Sequence, residues 1–163
     1  MEIQDLAKEQ LDKLDSVLDE YERGMGLPLY SSESQDESIK KYMTLSRTEI
    51  EKLTLEECAE VALLLGGFSF YLQRSYNREM ARVNWAESSL KSMIAGRESQ
   101  YSGSWDSQYH QAVKNDGYSS KLLSIKRYAQ QRADRITYLS TSIKNLGDLF
   151  VNLQRAKAGR RNE

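Results

Sequence analysis

The chain holds one cysteine, Cys58, one proline, Pro28, and one histidine, His110. A lone cysteine forbids an intrachain disulfide and suits a reducing cytoplasm, with Cys58 expected as a small buried hydrophobe. The scarcity of proline and of β-branched runs predicts an all-α fold. Glycine-rich phosphate loops, paired metal-ligand spacings, a nucleophile-elbow serine and a histidine beside a nucleophile are all missing, so no enzyme, cofactor or metal site is expected. His110 has no cysteine or second histidine near it and reads as a partly exposed turn residue. Long hydrophobic runs are lacking too. The nearest, Val61 to Leu72, is short, contains Gly66 and Gly67, and has Glu60 at its edge, so no membrane span is expected. The first residues, Met1 to Asp5, have neither a basic start nor an apolar core and do not read as a secretory signal.

What is present is a long apolar rhythm. Steps of four and three from Tyr118 reach Leu122, Ile125, Ala129, Arg132, Ile136, Leu139, Ile143, Leu146, Phe150 and Leu153. This heptad seam predicts one helix, roughly 54 Å long, whose stripe needs an equally long partner. Leu55, Cys58, Ala62, Leu65, Ser69, Leu72, Tyr76, Glu79, Val83, Ala86, Leu90 and Met93 supply it. Two such seams predict a long antiparallel, coiled-coil-like helical hairpin turning near residue 105. Glu79 and Arg132, the charged members of the two seams, then lie at similar distances from the turn and are expected to pair and set register.

A chain of 163 residues is ordinarily one domain. In order along it, Ile3, Leu6, Leu11, Leu14, Val17, Leu18 and Tyr21 share one helical face, giving an amphipathic helix within 1–23. Gly24, Gly26, Pro28 and the polar run Ser31 to Asp36 predict a linker over 24–45. The hairpin domain follows over 46–163. Ser46 with Glu49, and Thr54 with Glu57, match the capping box, so a short helix precedes the first long one. Gly66 and Gly67 inside that helix predict a bend or, in preference, close packing by another helix. A short helix over Ser107 to Lys114 leads to Asn115-Asp116-Gly117, a turn or cap before the last helix.

Charge is distributed unevenly. Residues 1–60 carry sixteen acidic against seven basic side chains, whereas 117–163 carry ten basic, Lys121 and Arg127 among them, against three acidic. The asymmetry points to a polyanionic partner or to head-to-tail contact between copies; a solvated helix face is the plainer alternative. Arg74, Arg78 and Arg82 repeat every fourth residue, a spacing able to track a phosphate backbone or to pair with Glu79 and the acidic first helix. The turn from Gly96 to Asp106 interleaves Arg97 with Tyr101 and Trp105, and Tyr109 follows. Rings on which bases stack beside cations that meet phosphates are the means of single-stranded nucleic acid binding. The alternative is that these rings cap the open end of the hairpin.

Tyr71-Leu72, then Arg97 leading to Tyr101-Ser102-Gly103, then a long amphipathic helix ending Arg155-Ala156-Lys157-Ala158-Gly159 resemble the layout of the UvsY family of phage recombination mediators over about residues 55–159. Ala95 stands where that family has a lysine. The resemblance implies a ring-forming homo-oligomer in the cytoplasm, the host's if the chain is phage-encoded. Such a protein binds single-stranded DNA and helps load a RecA-like recombinase onto strands coated by a single-stranded-DNA-binding protein. The DNA-contacting set expected from spacing and resemblance together is Arg74, Arg78, Arg82, Arg97, Tyr101, Trp105, Lys121 and Arg127. The other reading is a non-enzymatic coiled-coil structural or adaptor protein, for example a virion component.

Overall fold

A computed structural model describes residues 3–26, 36–96 and 100–160, with the backbone alone at 3–5, 36 and 160. The described residues form seven helices and no strand: α1 (Ile3–Gly24), α2 (Asp36–Met43), α3 (Arg47–Lys52), α4 (Leu55–Ala95), α5 (Trp105–Asn115), α6 (Gly117–Ile136) and α7 (Leu139–Arg160). The fold is all-α. The chain divides into two compact units, Met1–Pro28 with Tyr76–Arg135, and Leu29–Ser75 with Ile136–Glu163. That division cuts through the single hairpin domain expected over 46–163, and α4 contributes to both units.

In the unit holding α1, α5 and α6, the second half of α4 runs antiparallel to α6. Met93 accepts from Ser119 at 3.6 Å, Glu87 meets Lys126 at 3.1 Å, and Glu79 meets Arg132 at 2.9 Å, so each step back along α4 is a step forward along α6. The Glu79–Arg132 pair is the one expected from the seams. Leu90, Ile94, Tyr101, Ala112 and Leu122 form the buried cluster, with Trp85, Met93, Tyr109, Val113 and Tyr118 packed around it. Asp116 caps α6, its Oδ2 accepting from the Ser119 amide at 2.8 Å, and the Ser104 hydroxyl caps α5.

In the unit holding α2, α3 and α7, Val61, Leu65 and Leu72 of α4 bury against Ile143 and Phe150 of α7. Both expected capping boxes form. Ser46 and Glu49 exchange their bonds at the start of α3. At the start of α4 the Thr54 amide donates to Glu57 at 2.7 Å and the Glu57 amide donates to Thr54 Oγ1 at 3.1 Å. Lys157 Nζ of α7 donates to the carbonyls of Ile50, Glu51 and Leu53, supplying the cation that the C-terminal end of α3 favours. Cys58 is fully buried, as expected, and burial pushes its thiol pKa up.

Three expectations need correcting. The helix from Tyr118 to Leu153 is two helices: Thr137 and Tyr138 interrupt it, and Tyr138 takes a left-handed φ of 68°. Leu139, placed in the seam, is 42% exposed just after the break. The linker over 24–45 contains α2, because Ile39 buries and Tyr42 and Leu45 pack on the cluster around Leu65. Residues 27–35, which include the polar run as far as Gln35, lie outside the described residues. The close approach by another helix expected at Gly66 is made there by α7, but the glycine that leaves room for it is Gly147 rather than Gly66. A Cβ there would sit 3.4 Å from the Ala62 carbonyl oxygen and 3.6 Å from Leu65 Cβ, whereas one on Gly66 would meet nothing within 4 Å.

Candidate nucleic-acid interface

Ser104 starts α5 so that Trp105 and Tyr109, four residues apart, stand on one face of its first turn. Tyr109 leans on the buried cluster, while Trp105 remains 44% exposed. The two rings line a cleft of about 200 Å³ with Asp106, with Glu87, Leu90 and Lys91 of α4, and with Lys126 of α6. Glu87 stands between the lysines, accepting from Lys91 at 2.8 Å and from Lys126 at 3.1 Å. Those hydrogen bonds, Lys91 first, hold its carboxyl below the ordinary glutamate value. The cleft therefore offers an apolar ring for stacking and two cations whose present partner is a carboxylate. A phosphate can take the place of that carboxylate.

Other expected contacts are arranged differently. Tyr101 is 6% exposed and sits in the cluster with Leu90, Ile94 and Leu122, so it caps the hairpin end and offers no face for stacking. Arg78 and Arg82 turn toward α1. Arg82 makes a two-pronged pair with Asp15, at 2.6 and 3.2 Å, and reaches Glu79 at 2.9 Å. Arg78 grips Glu22 at 3.0 and 3.3 Å and also bonds Asp19. The Asp15 bonds hold the Arg82 pKa above its ordinary value against the effect of burial. Burial pulls Arg78 down, but the Glu22 and Asp19 bonds outweigh it and its pKa is also raised. The alternative of pairing with the acidic first helix is thus the arrangement found. Arg74, in the other unit, is half-buried and has partners of its own. Lys121 and Arg127 are exposed on α6. Arg97 lies outside the described residues.

Lys91 and Lys126 escaped the sequence reading. The signal for Lys126 was the register itself: continuing from the Glu79–Arg132 pair toward the turn by about two helical turns brings Glu87 opposite Lys126, with Lys91 one turn beyond Glu87. His110 is exposed and meets Tyr109 edge to face at 5.9 Å. Among the described residues no group of three or more His, Cys, Asp or Glu side chains is placed to hold a metal ion, and no helix is long and apolar enough to cross a membrane.

A second surface lies in the other unit. Ala59, Ala62, Leu63, Gly66, Gly67 and Phe70 of α4, with Val151 and Gln154 of α7, line an open apolar groove of about 470 Å³. Leu63 and Phe70 are 78% and 71% exposed beside it. No family model matches the chain, and neither does any curated protein or solved structure.

Proposed function

We propose that the protein is a non-enzymatic, cytoplasmic single-stranded-DNA-binding recombination mediator that helps load a RecA-like recombinase onto strands held by a single-stranded-DNA-binding protein. The observation that carries this reading is the cleft in which the exposed Trp105 ring stands beside Lys91 and Lys126. It combines a stacking platform that accepts any base with cations that accept any phosphate, and so it suits binding without sequence preference. The family resemblance over 55–159 adds the recombinase and the coat protein as partners. Self-association belongs to the same proposal. The exposed Leu63 and Phe70 form an apolar face of the kind that copies bury, and a ring of subunits multiplies weak contacts into avidity.

A second reading, a coiled-coil structural or adaptor protein such as a virion component, is favoured by one observation. Arg78, Arg82 and Arg132 are all satisfied by carboxylates of the same chain. The two readings separate in a fluorescence anisotropy titration of a labelled single-stranded oligonucleotide, run across a salt series with a duplex competitor. The mediator reading expects binding that prefers single strands and weakens steeply with salt. Trp105→Ala is expected to weaken it by about 5- to 150-fold, the loss of one stacked base at ~1–3 kcal/mol. Lys91→Ala with Lys126→Ala is expected to flatten the log–log salt slope by about 1.4, two phosphate contacts' worth. Absence of binding at low salt, where attraction is greatest, would leave the adaptor reading in possession.

A further inference from the structure

The acidic side chains of α1 that face α4 are ordered rather than scattered. Asp15, Asp19 and Glu22 recur at steps of four and three, so they form one stripe about 10 Å long at 1.5 Å per residue. Arg78 and Arg82, four apart on α4, meet that stripe, with side chains only 20% and 22% exposed. Each guanidinium receives a carboxylate in the two-pronged geometry that it also offers to phosphate. Apolar anchorage of the helix is partial: Leu11, Leu14 and Leu18 are half-buried. Ala7 and Glu22 are its only buried side chains among the described residues, Tyr118 donates to Gln10 at 2.6 Å, and Val17, Tyr21 and Met25 are each more than 60% exposed. A helix whose apolar face is only half-covered and whose ion pairs stay partly solvated is one that another polyanion can displace, since the arginines exchange one set of oxyanions for another.

We infer that α1 is an intramolecular stand-in for a phosphate backbone: it covers Arg78 and Arg82 and competes with single-stranded nucleic acid for them. The inference rests on the nucleic-acid reading above and adds its regulation. The strand that occupies the Trp105 cleft gains a second set of contacts only when α1 yields, so weak or short strands engage the cleft alone. Longer strands displace the cover and bind with a steeper salt dependence.

The test uses the full chain carrying Asp15→Asn, Asp19→Asn and Glu22→Gln, which keep side-chain shape and remove charge. Against a labelled oligothymidine, this variant is expected to bind about tenfold more tightly than the wild type. Its log–log salt slope is expected to be steeper by about 1.4, two further phosphates. Adding Arg78→Ala and Arg82→Ala to the same background is expected to abolish both gains. Amide hydrogen exchange on the unaltered chain supplies a readout that does not depend on the variant folding: protection of α1 is expected to fall when the oligonucleotide is added. If the wild type binds, and the variant binds with the same affinity and slope or α1 protection is unchanged by the oligonucleotide, the cover is overturned and the nucleic-acid reading stands. If neither chain binds at low salt, both fall together.

Discussion

The two halves of α4 carry one continuous apolar seam but keep different company. From Tyr76 onward the seam residues Val83, Ala86 and Leu90 are flanked by Arg78, Glu79, Arg82 and Glu87, each tied to an opposite charge on a neighbouring helix. Up to Ser75 the flanks are Leu63, Gly66 and Phe70, and the polar fastenings move to helix ends, where Thr54, Glu57 and Lys157 satisfy backbone groups. One half is therefore fastened by ion pairs spread along its length, the other by caps at its tips together with the partners of Gln73 and Arg74. The first can exchange partners with a polyanion, while the second leaves an apolar face unfilled.

Four measurements break or sharpen that contrast. The largest effect is in the two cores. Leu65→Ala and Leu122→Ala, both at fully buried positions, are each expected to lower stability by about 2–5 kcal/mol in denaturant titrations. A much smaller cost at Leu122 would mean that the charged fastenings, rather than apolar burial, hold the unit of α1, α5 and α6.

Next in size are the caps. Thr54→Ala removes the hydroxyl that accepts from the Glu57 amide and is expected to cost about 1 kcal/mol, read from the shift of the denaturation midpoint. Acid should reveal the same device. The bonds from Thr54, that of its backbone amide first, hold the Glu57 carboxyl below its ordinary value. The folded pKa lies below the unfolded one, so the contribution is complete above the unfolded value and is lost as pH falls through the folded value. Because Thr54→Ala keeps that amide, the acid test uses Glu57→Gln: stability followed by circular dichroism against pH is expected to decline less steeply in acid for this variant than for the wild type. The smallest effect is at the break between α6 and α7. Tyr138→Gly removes the penalty of about 1–2 kcal/mol for a left-handed side-chain-bearing residue and adds glycine's entropic cost of about 0.5–1 kcal/mol. A net gain near 0.5 kcal/mol in thermal unfolding is expected.

These residues also mark what could be read in advance. The seams named Cys58, Leu65, Leu72, Leu90, Leu122, Ile143 and Phe150, all buried, because helix periodicity reports which face is covered. The capping boxes and the Glu79–Arg132 pair were legible for the same local reason, since spacing alone determines them. The break at Tyr138 was not, because the heptad phase runs through it unchanged and a backbone dihedral leaves no trace in polarity. Nor was α2, whose polar surroundings hid Ile39 and Tyr42. In the candidate site, Trp105 was found from its place on the turn. Tyr101 takes the other of its two stated roles, since an aromatic on a turn is equally suited to capping a core or facing solvent, and only packing decides. The partners of Arg78 and Arg82 were among two stated alternatives, and the choice between them depends on where α1 docks.

The interleaving of the two units bears on how the chain is made. The strip of α4 before Ser75 is covered partly by Tyr42, Leu45 and Leu53 and partly by residues from Ile136 onward, and Lys157 reaches back over more than a hundred positions to Ile50. At about 5–20 residues per second, a ribosome needs roughly 3–12 s to make the intervening stretch. For that interval Val61 and Leu65 have been synthesised but Ile143 and Phe150 have not, so a fold built of helices still waits on late, distant contacts.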